Sequence, residues 1–317
     1  MDKLILVTIE NCEFYRLGMY HDFIERLSLY HPNVKVYGQG YPKTDSKYIG
    51  NYDPSKTIQD IIGQDLGGQE PDILFFMNAE IAPSNFSGLK TKVYVFTSDS
   101  VITNAGHVNR VRSHKFNCAG VFHNYLYGKE LIPSAFNTQH VFYWPCWASV
   151  KYDHKQSETG KDIDFFLSGT ITHEYSYRQT FREIFRGSGF DYVDRMGQAK
   201  DDKVDNDVYL ELLSRSRYSP HDGGKNGRLQ GRFYEASYMK SVIIAPDAGQ
   251  EMEINGFRHG QNCILFDRHQ PTGDIREMVQ RIDRMDWKTL SDNAYSLIDN
   301  RHTTDHRIKA FLDVVLQ

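Results

Sequence analysis

Residues 219–246, SPHDGGKNGRLQGRFYEASYMKSVIIAP, carry the densest chemistry in the sequence. Gly223, Gly224, Gly227 and Gly231 make a loop whose backbone can come close to a ligand, and it runs into a helix expected to begin near Gly231. The start of a helix presents unpaired N–H groups and the positive end of its dipole, which suits a phosphate. Arg228 and Arg232 add two guanidiniums. Arg232 and Glu235, three residues apart, share a helical face and can address one ligand. The same spacing also fits a surface loop with an internal Arg–Glu pair. Further polar groups follow apolar runs: Thr97-Ser98-Asp99-Ser100, Ser168-Gly169-Thr170 and His221-Asp222.

The elements that must position these groups alternate. Apolar runs at 4–9, 34–37, 72–76, 92–96 and 119–122 predict strands, and the helix-like segments 20–27 and 55–66 fall between them. After a polar stretch at 149–162, strands are expected at 163–167, 217–219, 242–245 and 263–266, with helices at 173–185, 275–282 and 287–298. Strand–helix alternation implies parallel sheets covered on both faces. With 317 residues, at roughly 100–200 per domain, the chain reads as α/β with two Rossmann-like, doubly wound domains facing a central cleft. Ligands of such sheets bind beyond the carboxyl ends of the strands, so the polar groups just named stand where chemistry is expected. Hydrophobic residues make up 40% and charged residues 25%, which excludes global disorder. Cys12, Cys118, Cys146 and Cys263 form no C-x-x-C pair, which argues against a disulfide framework or zinc site. The opening MDKLILVTIE breaks off after one short apolar run, which predicts no signal peptide, no membrane span and a cytoplasmic location.

Several short segments, in order, resemble a known group. Ser168-Gly169-Thr170, Tyr177-Arg178, Arg232-Phe233-Tyr234-Glu235-Ala236 and the apolar 242–245 are similar to the C-terminal domain of GT-B glycosyltransferases, of the group 1 type seen in spore-maturation-like enzymes. Asn255-Gly256-Phe257, Gly260-Gln261-Asn262-Cys263, Arg301-His302-Thr303 and Arg307 extend the likeness, which covers about residues 160–312. It implies an acceptor-binding domain at 1–150, a nucleotide-sugar domain at 151–300, and a helical tail at 301–317 packing back toward the first. It also implies transfer of a sugar from a nucleoside-diphosphate sugar, a UDP-sugar, to a hydroxyl of a glycan or surface saccharide. By resemblance, Gly169, Thr170, Arg178, His221, Asp222, Arg228, Arg232, Tyr234 and Glu235 contact the donor. In that assignment Glu235 accepts from the ribose hydroxyls, while Arg232 and Arg228 neutralise the leaving diphosphate. Many retaining members carry a second glutamate eight positions earlier, and here that position is Gly227.

Transfer calls for a group that takes the acceptor's proton, or for charge stabilisation without one. Asp99 is the candidate base, and an Asp capping a helix or turn is the plainer account of it. Tyr15, Arg16, His107, Arg110, Arg112 and His114 are candidate acceptor contacts. No D-x-D pair stands at a strand end, so no obligatory metal is expected, and Asp201, Asp202 and Asp205 read as a solvated loop. A sugar-nucleotide epimerase or a non-catalytic sugar-nucleotide-binding module would fit the same two-domain plan.

The net charge is −4, yet residues 81–129 hold six basic side chains against Asp99 alone. That concentration fits a solvated face or an electropositive acceptor surface. The second case admits hydroxymethylated bases in duplex DNA, the acceptors of phage-type DNA glycosyltransferases. On that alternative, reversing the charges of Arg110 and Arg112 weakens salt-sensitive binding of duplex DNA and lowers acceptor use. Unaltered acceptor use by the reversed variant would remove the polyanion.

Overall fold

A computed structural model describes residues 3–11, 18–39, 47–50, 53, 55–77, 88–97, 118–126, 132, 136, 138–155, 160–171, 176–197, 205–223 and 228–317. The chain divides into two compact units: Met1–Pro145 with Thr304–Gln317, and Cys146–Thr303. The first division falls a few residues before the polar stretch 149–162. Among the described residues, no helix is long and apolar enough to cross a membrane.

The first unit holds seven strands: β1 (Ile5–Asn11), β2 (Val34–Gln39), β3 (Tyr48–Gly50), β4 (Ile73–Phe76), β5 (Lys92–Thr97), β6 (Cys118–His123) and β7 (Val141–Tyr143). They pair in the order β3-β2-β1-β4-β5-β6-β7, every neighbour parallel. All four residues of β4 are buried, because a parallel strand covered on both faces needs a continuous apolar run. Helix α1 (Met19–Tyr30) buries Phe23, Ile24 and Leu27. Helix α2 (Ile58–Asp60) starts in a capping box between Thr57 and Asp60.

The C-terminal helix, Thr304–Val315, completes this unit. Arg26 of α1 donates from Nε and Nη2 to the two carboxylate oxygens of Asp305, each at 2.8 Å. Phe311 enters an aromatic cluster, its ring centroid 4.5 Å from that of Phe75, 5.5 Å from Phe122 and 5.6 Å from Phe23. Residues at opposite ends of the sequence thus share one core.

The second unit has five strands: β8 (Ile163–Thr170), β9 (Tyr192–Gly197), β10 (Ser216–Pro220), β11 (Val242–Pro246) and β12 (Ile264–Phe266). Their order is β12-β11-β10-β8-β9, again all parallel. Helices α3 (Ser176–Phe185), α4 (Asn206–Arg215), α5 (Gly231–Tyr238), α6 (Gln250–Asn255), α7 (Thr272–Gln280) and α8 (Trp287–Arg301) connect and cover them. Chain order reverses between β8 and β10, which makes the carboxyl ends of those two strands the switch point where a doubly wound sheet opens a crevice.

Two local readings are corrected here. Ser168, Gly169 and Thr170 do not follow β8 but end it, each paired with a residue of β9. Asp205 is no mere loop residue, since its side chain accepts from the Asp207 amide and caps α4, a helix the periodicity alone did not reveal.

Replacing Phe311 by Ala should cost the first unit about 3–5 kcal/mol, the range for a large aromatic lost from a packed core. Urea unfolding followed by tryptophan fluorescence measures it. A loss near zero would show that the C-terminal helix does not belong to that core.

Candidate functional site

The switch point of the second unit gathers polar groups singled out above from the second half of the chain. Gly169, near the end of β8, has φ +117°, a conformation that L side chains rarely adopt. A Cβ placed there would lie 2.6 Å from Arg178 Nη1 and 2.7 Å from Arg232 Nη1. Two guanidiniums therefore converge on one backbone point, and only a missing side chain gives them room. Arg178 comes from α3 and Arg232 from the first turn of α5, so the meeting is a product of three elements.

The two cations are held differently. Arg178 Nε lies 2.7 Å from Asp222 Oδ2, and both side chains are buried. Arg232 Nη1 donates to the Ser168 carbonyl at 2.9 Å and to Ser168 Oγ at 3.3 Å. Among the described residues, no carboxylate forms an ion pair with Arg232. The internal Arg–Glu pair allowed by the sequence is thus not formed, and Glu235 accepts instead from the Tyr209 hydroxyl at 3.1 Å. Burial raises the Glu235 carboxyl above its ordinary pKa, against the pull of Arg232 and the Tyr209 hydrogen bond.

His221 and Asp222 leave β10 at its carboxyl end. The His221 ring is buried, and its Nδ1 accepts from the Gly223 amide at 3.0 Å, which assigns the ring proton to Nε2. Burial holds the imidazole neutral, with a pKa lowered to about 3; Asp222 opposes that shift, while Arg232 and Arg178 add to it. Gly223 takes φ +67°, and its carbonyl accepts from the Arg228 amide at 2.5 Å. Arg228, three positions before the start of α5, is itself buried. Among the described residues, no side chain caps the start of α5, whose N-cap position is Gln230.

Gly169, Arg178, His221, Asp222, Arg228, Arg232 and Glu235 therefore all belong to one end of one sheet. Tyr234 is corrected: it is fully buried, with T-shaped contacts to Phe257 and His302 at 5.7 and 5.3 Å, and it packs the core. Asp99, Tyr15, Arg16, His107, Arg110, Arg112 and His114 lie outside the described residues, as does the side chain of Thr170. Residues 256–262 close a turn after α6: Asn262 accepts from the Arg258 amide and donates to the Gly256 carbonyl, both at 2.8 Å. Tyr209 is a site residue that sequence reading missed. Its only signal was the cap at Asp205 followed by the buried Leu210 and Leu213.

No family model matches the sequence, and no curated protein matches it. Solved structures resemble it in fold. An alpha-glucosyltransferase in complex with UDP and a 13-mer DNA containing a central A:G mismatch superposes with a TM-score of 0.64 over 100% of both chains, at 14% identity. A glycosyltransferase from Rickettsia africae ESF-5 gives 0.64 at 12% identity, covering 99% of this chain and 98% of its own. Sucrose-phosphate synthase from Thermosynechococcus elongatus gives 0.63 at 9% identity, with 99% and 98% covered. The chain has the GT-B fold. At these identities the likeness concerns the fold, and the GT-B plan is met over the full length of both units.

The neutral His221 makes a signed prediction for pH. Its pKa is about 3 folded against roughly 6.5 unfolded, so the unfolded chain binds the extra proton between those values. Stability contributed by the neutral ring is present above about 6.5 and is lost progressively as pH falls toward 3. His221→Gln, which keeps an acceptor for Gly223 but cannot charge, should show a shallower fall of Tm over that window. Equal slopes in both proteins would show that another group titrates.

Proposed function

We propose that the chain is a glycosyltransferase that binds a nucleoside-diphosphate sugar, a UDP-sugar, at the switch point of the second unit. The observation that carries the reading is the convergence of Arg178 and Arg232 on Gly169, one of them without a carboxylate partner among the described residues. Like charges brought together in a partly desolvated place need an anion, and a diphosphate supplies two negative groups with the matching fork geometry. Glu235, on the same face of α5 as Arg232, stands where ribose hydroxyls can donate to it. This is the arrangement implied by the resemblance to group 1, spore-maturation-like GT-B enzymes, and Glu235 is half-buried with one oxygen already engaged.

In the reaction the bond between the anomeric carbon and the diphosphate oxygen breaks and a bond from that carbon to an acceptor oxygen forms. The electron pair of the broken bond leaves on the diphosphate, where Arg232 and Arg178 offset the new charge. Arg228 is the second candidate for that task. The acceptor's proton passes to a base, for which Asp99 is proposed. The first unit is assigned to the acceptor and the second to the donor, with the protein acting in the cytoplasm and charge neutralisation coming from guanidiniums.

A glycan hydroxyl is the acceptor proposed first. A second reading has a specific observation in its favour: GT-B structures that match this chain over its whole length were solved with DNA, and residues 81–129 are basic. On that reading the acceptor is a hydroxymethylated base in duplex DNA.

The decisive measurement is thermal stability with UDP-, GDP-, ADP- and CMP-sugars, since a ligand that binds only the folded state raises Tm with concentration. A UDP-sugar should raise the Tm of the wild type, and Arg232→Ala and Glu235→Ala should each reduce the shift. Absence of any shift with all four would overturn the reading. Labelled sugar moved to hydroxymethylated but not to unmodified duplex DNA would select the second acceptor.

A further inference from the structure

Tyr209 of α4 touches both of the groups on α5 that face the candidate donor site. Its hydroxyl donates to Glu235 Oε2 at 3.1 Å, and the Arg232 Cζ lies 5.8 Å from the centroid of its ring. The first contact is a hydrogen bond to a carboxylate, and the second is a cation over an aromatic face. The ring also packs against Phe166 of β8, with centroids 5.8 Å apart. The ring is thus held against the sheet, while the two groups it and its hydroxyl meet sit on a helix.

The atoms left over are informative. Arg232 uses only Nη1, toward Ser168, so its Nε and Nη2 have no hydrogen-bond partner among the described residues. Glu235 uses only Oε2, so Oε1 has none there either. A donor edge of Arg232 and an acceptor oxygen of Glu235 are thus left over while their other ends are held.

We propose that Tyr209 is a positioning residue that sets Glu235 for the ribose hydroxyls and Arg232 for the diphosphate of one nucleoside diphosphate. The inference rests on the proposed function, and it assigns the two halves of Tyr209 to different parts of the ligand. The hydroxyl serves ribose recognition through Glu235. The ring serves diphosphate recognition through Arg232.

The pH behaviour supports the same division. Among the described residues, the charged and titratable groups facing Glu235 are Arg232 on its own helix and Tyr209 on α4; the β11 segment packed against α5 is apolar. Burial, with the charge of Glu235 adding to it, pushes the Tyr209 phenol well above its usual value, so it remains a donor. Glu235 accepts from ribose hydroxyls most strongly when ionised. Its carboxyl is already raised by burial, and the Tyr209 hydrogen bond restrains that rise. Losing the hydroxyl lets it rise further.

The test compares Tyr209→Phe and Tyr209→Leu with the wild type, using UDP, 2′-deoxy-UDP and inorganic pyrophosphate as probes. Tyr209→Phe keeps the ring and should weaken UDP binding roughly tenfold, with little change for 2′-deoxy-UDP or pyrophosphate. In the same variant, the loss of UDP affinity on acidification should begin at a higher pH. Tyr209→Leu should weaken all three probes. Glu235→Gln approaches the pair from its other side and should make a further Tyr209→Phe change nearly silent. UDP binding by Tyr209→Phe with unchanged ribose discrimination and an unchanged pH profile would overturn the inference alone. Absence of UDP binding by the wild type would instead overturn the reading on which it rests.

Discussion

The second unit is organised by one close approach: two guanidiniums meeting over a glycine at the end of β8. Gly169 permits it by having no Cβ and by holding φ +117°. Everything nearby then follows from charge. Arg178 is buried and must be paired, and Asp222 at the end of β10 pairs it at 2.7 Å. Arg232 is partly exposed, and a carbonyl, a hydroxyl and an aromatic face hold it. His221, squeezed between Asp222 and Phe233, is kept neutral in a place where a further positive charge would be repelled.

That arrangement leaves an excess of positive charge at the strand ends, facing a helix start without a side-chain cap. It explains why the fold spends so much on fixing this corner. Two guanidiniums on different helices would drift apart without a bound anion unless each were tied to the sheet. Ser168 ties one and Asp222 the other, so the two guanidiniums are held in one place by the protein's own groups.

Much of the architecture could be read from residue order. Continuous apolar runs announced the central strands β1, β2, β4, β5, β6, β8 and β11, because a parallel strand buried on both faces has no polar alternation to disguise it. The strands left unread were β3, β7 and β9, and all three are sheet edges. β9 shows why: Met196 is its one buried residue, so no apolar run marks it. The site was legible where chemistry and local spacing coincide, as at Arg232 and Glu235, three residues apart on α5. Tyr209 was not, since its role comes from a contact across 26 residues with a different helix.

By itself, the sequence determined the α/β class, the two-unit plan, the Gly-rich loop before a helix and the cationic and acidic residues on it. Those are local properties, set by hydrophobic period, turn chemistry and helical spacing. The tertiary structure alone decided what those residues face. It placed Arg178 against Asp222 and Gly169, engaged Arg232 with Ser168 and Glu235 with Tyr209, buried Tyr234 in the core and brought the last helix onto α1 through Phe311 and Asp305. None of these outcomes has a signature in residue spacing, because each depends on the order in which parallel strands pair. Strand order brings the ends of β8 and β10 together, and only there do separate charges become one site.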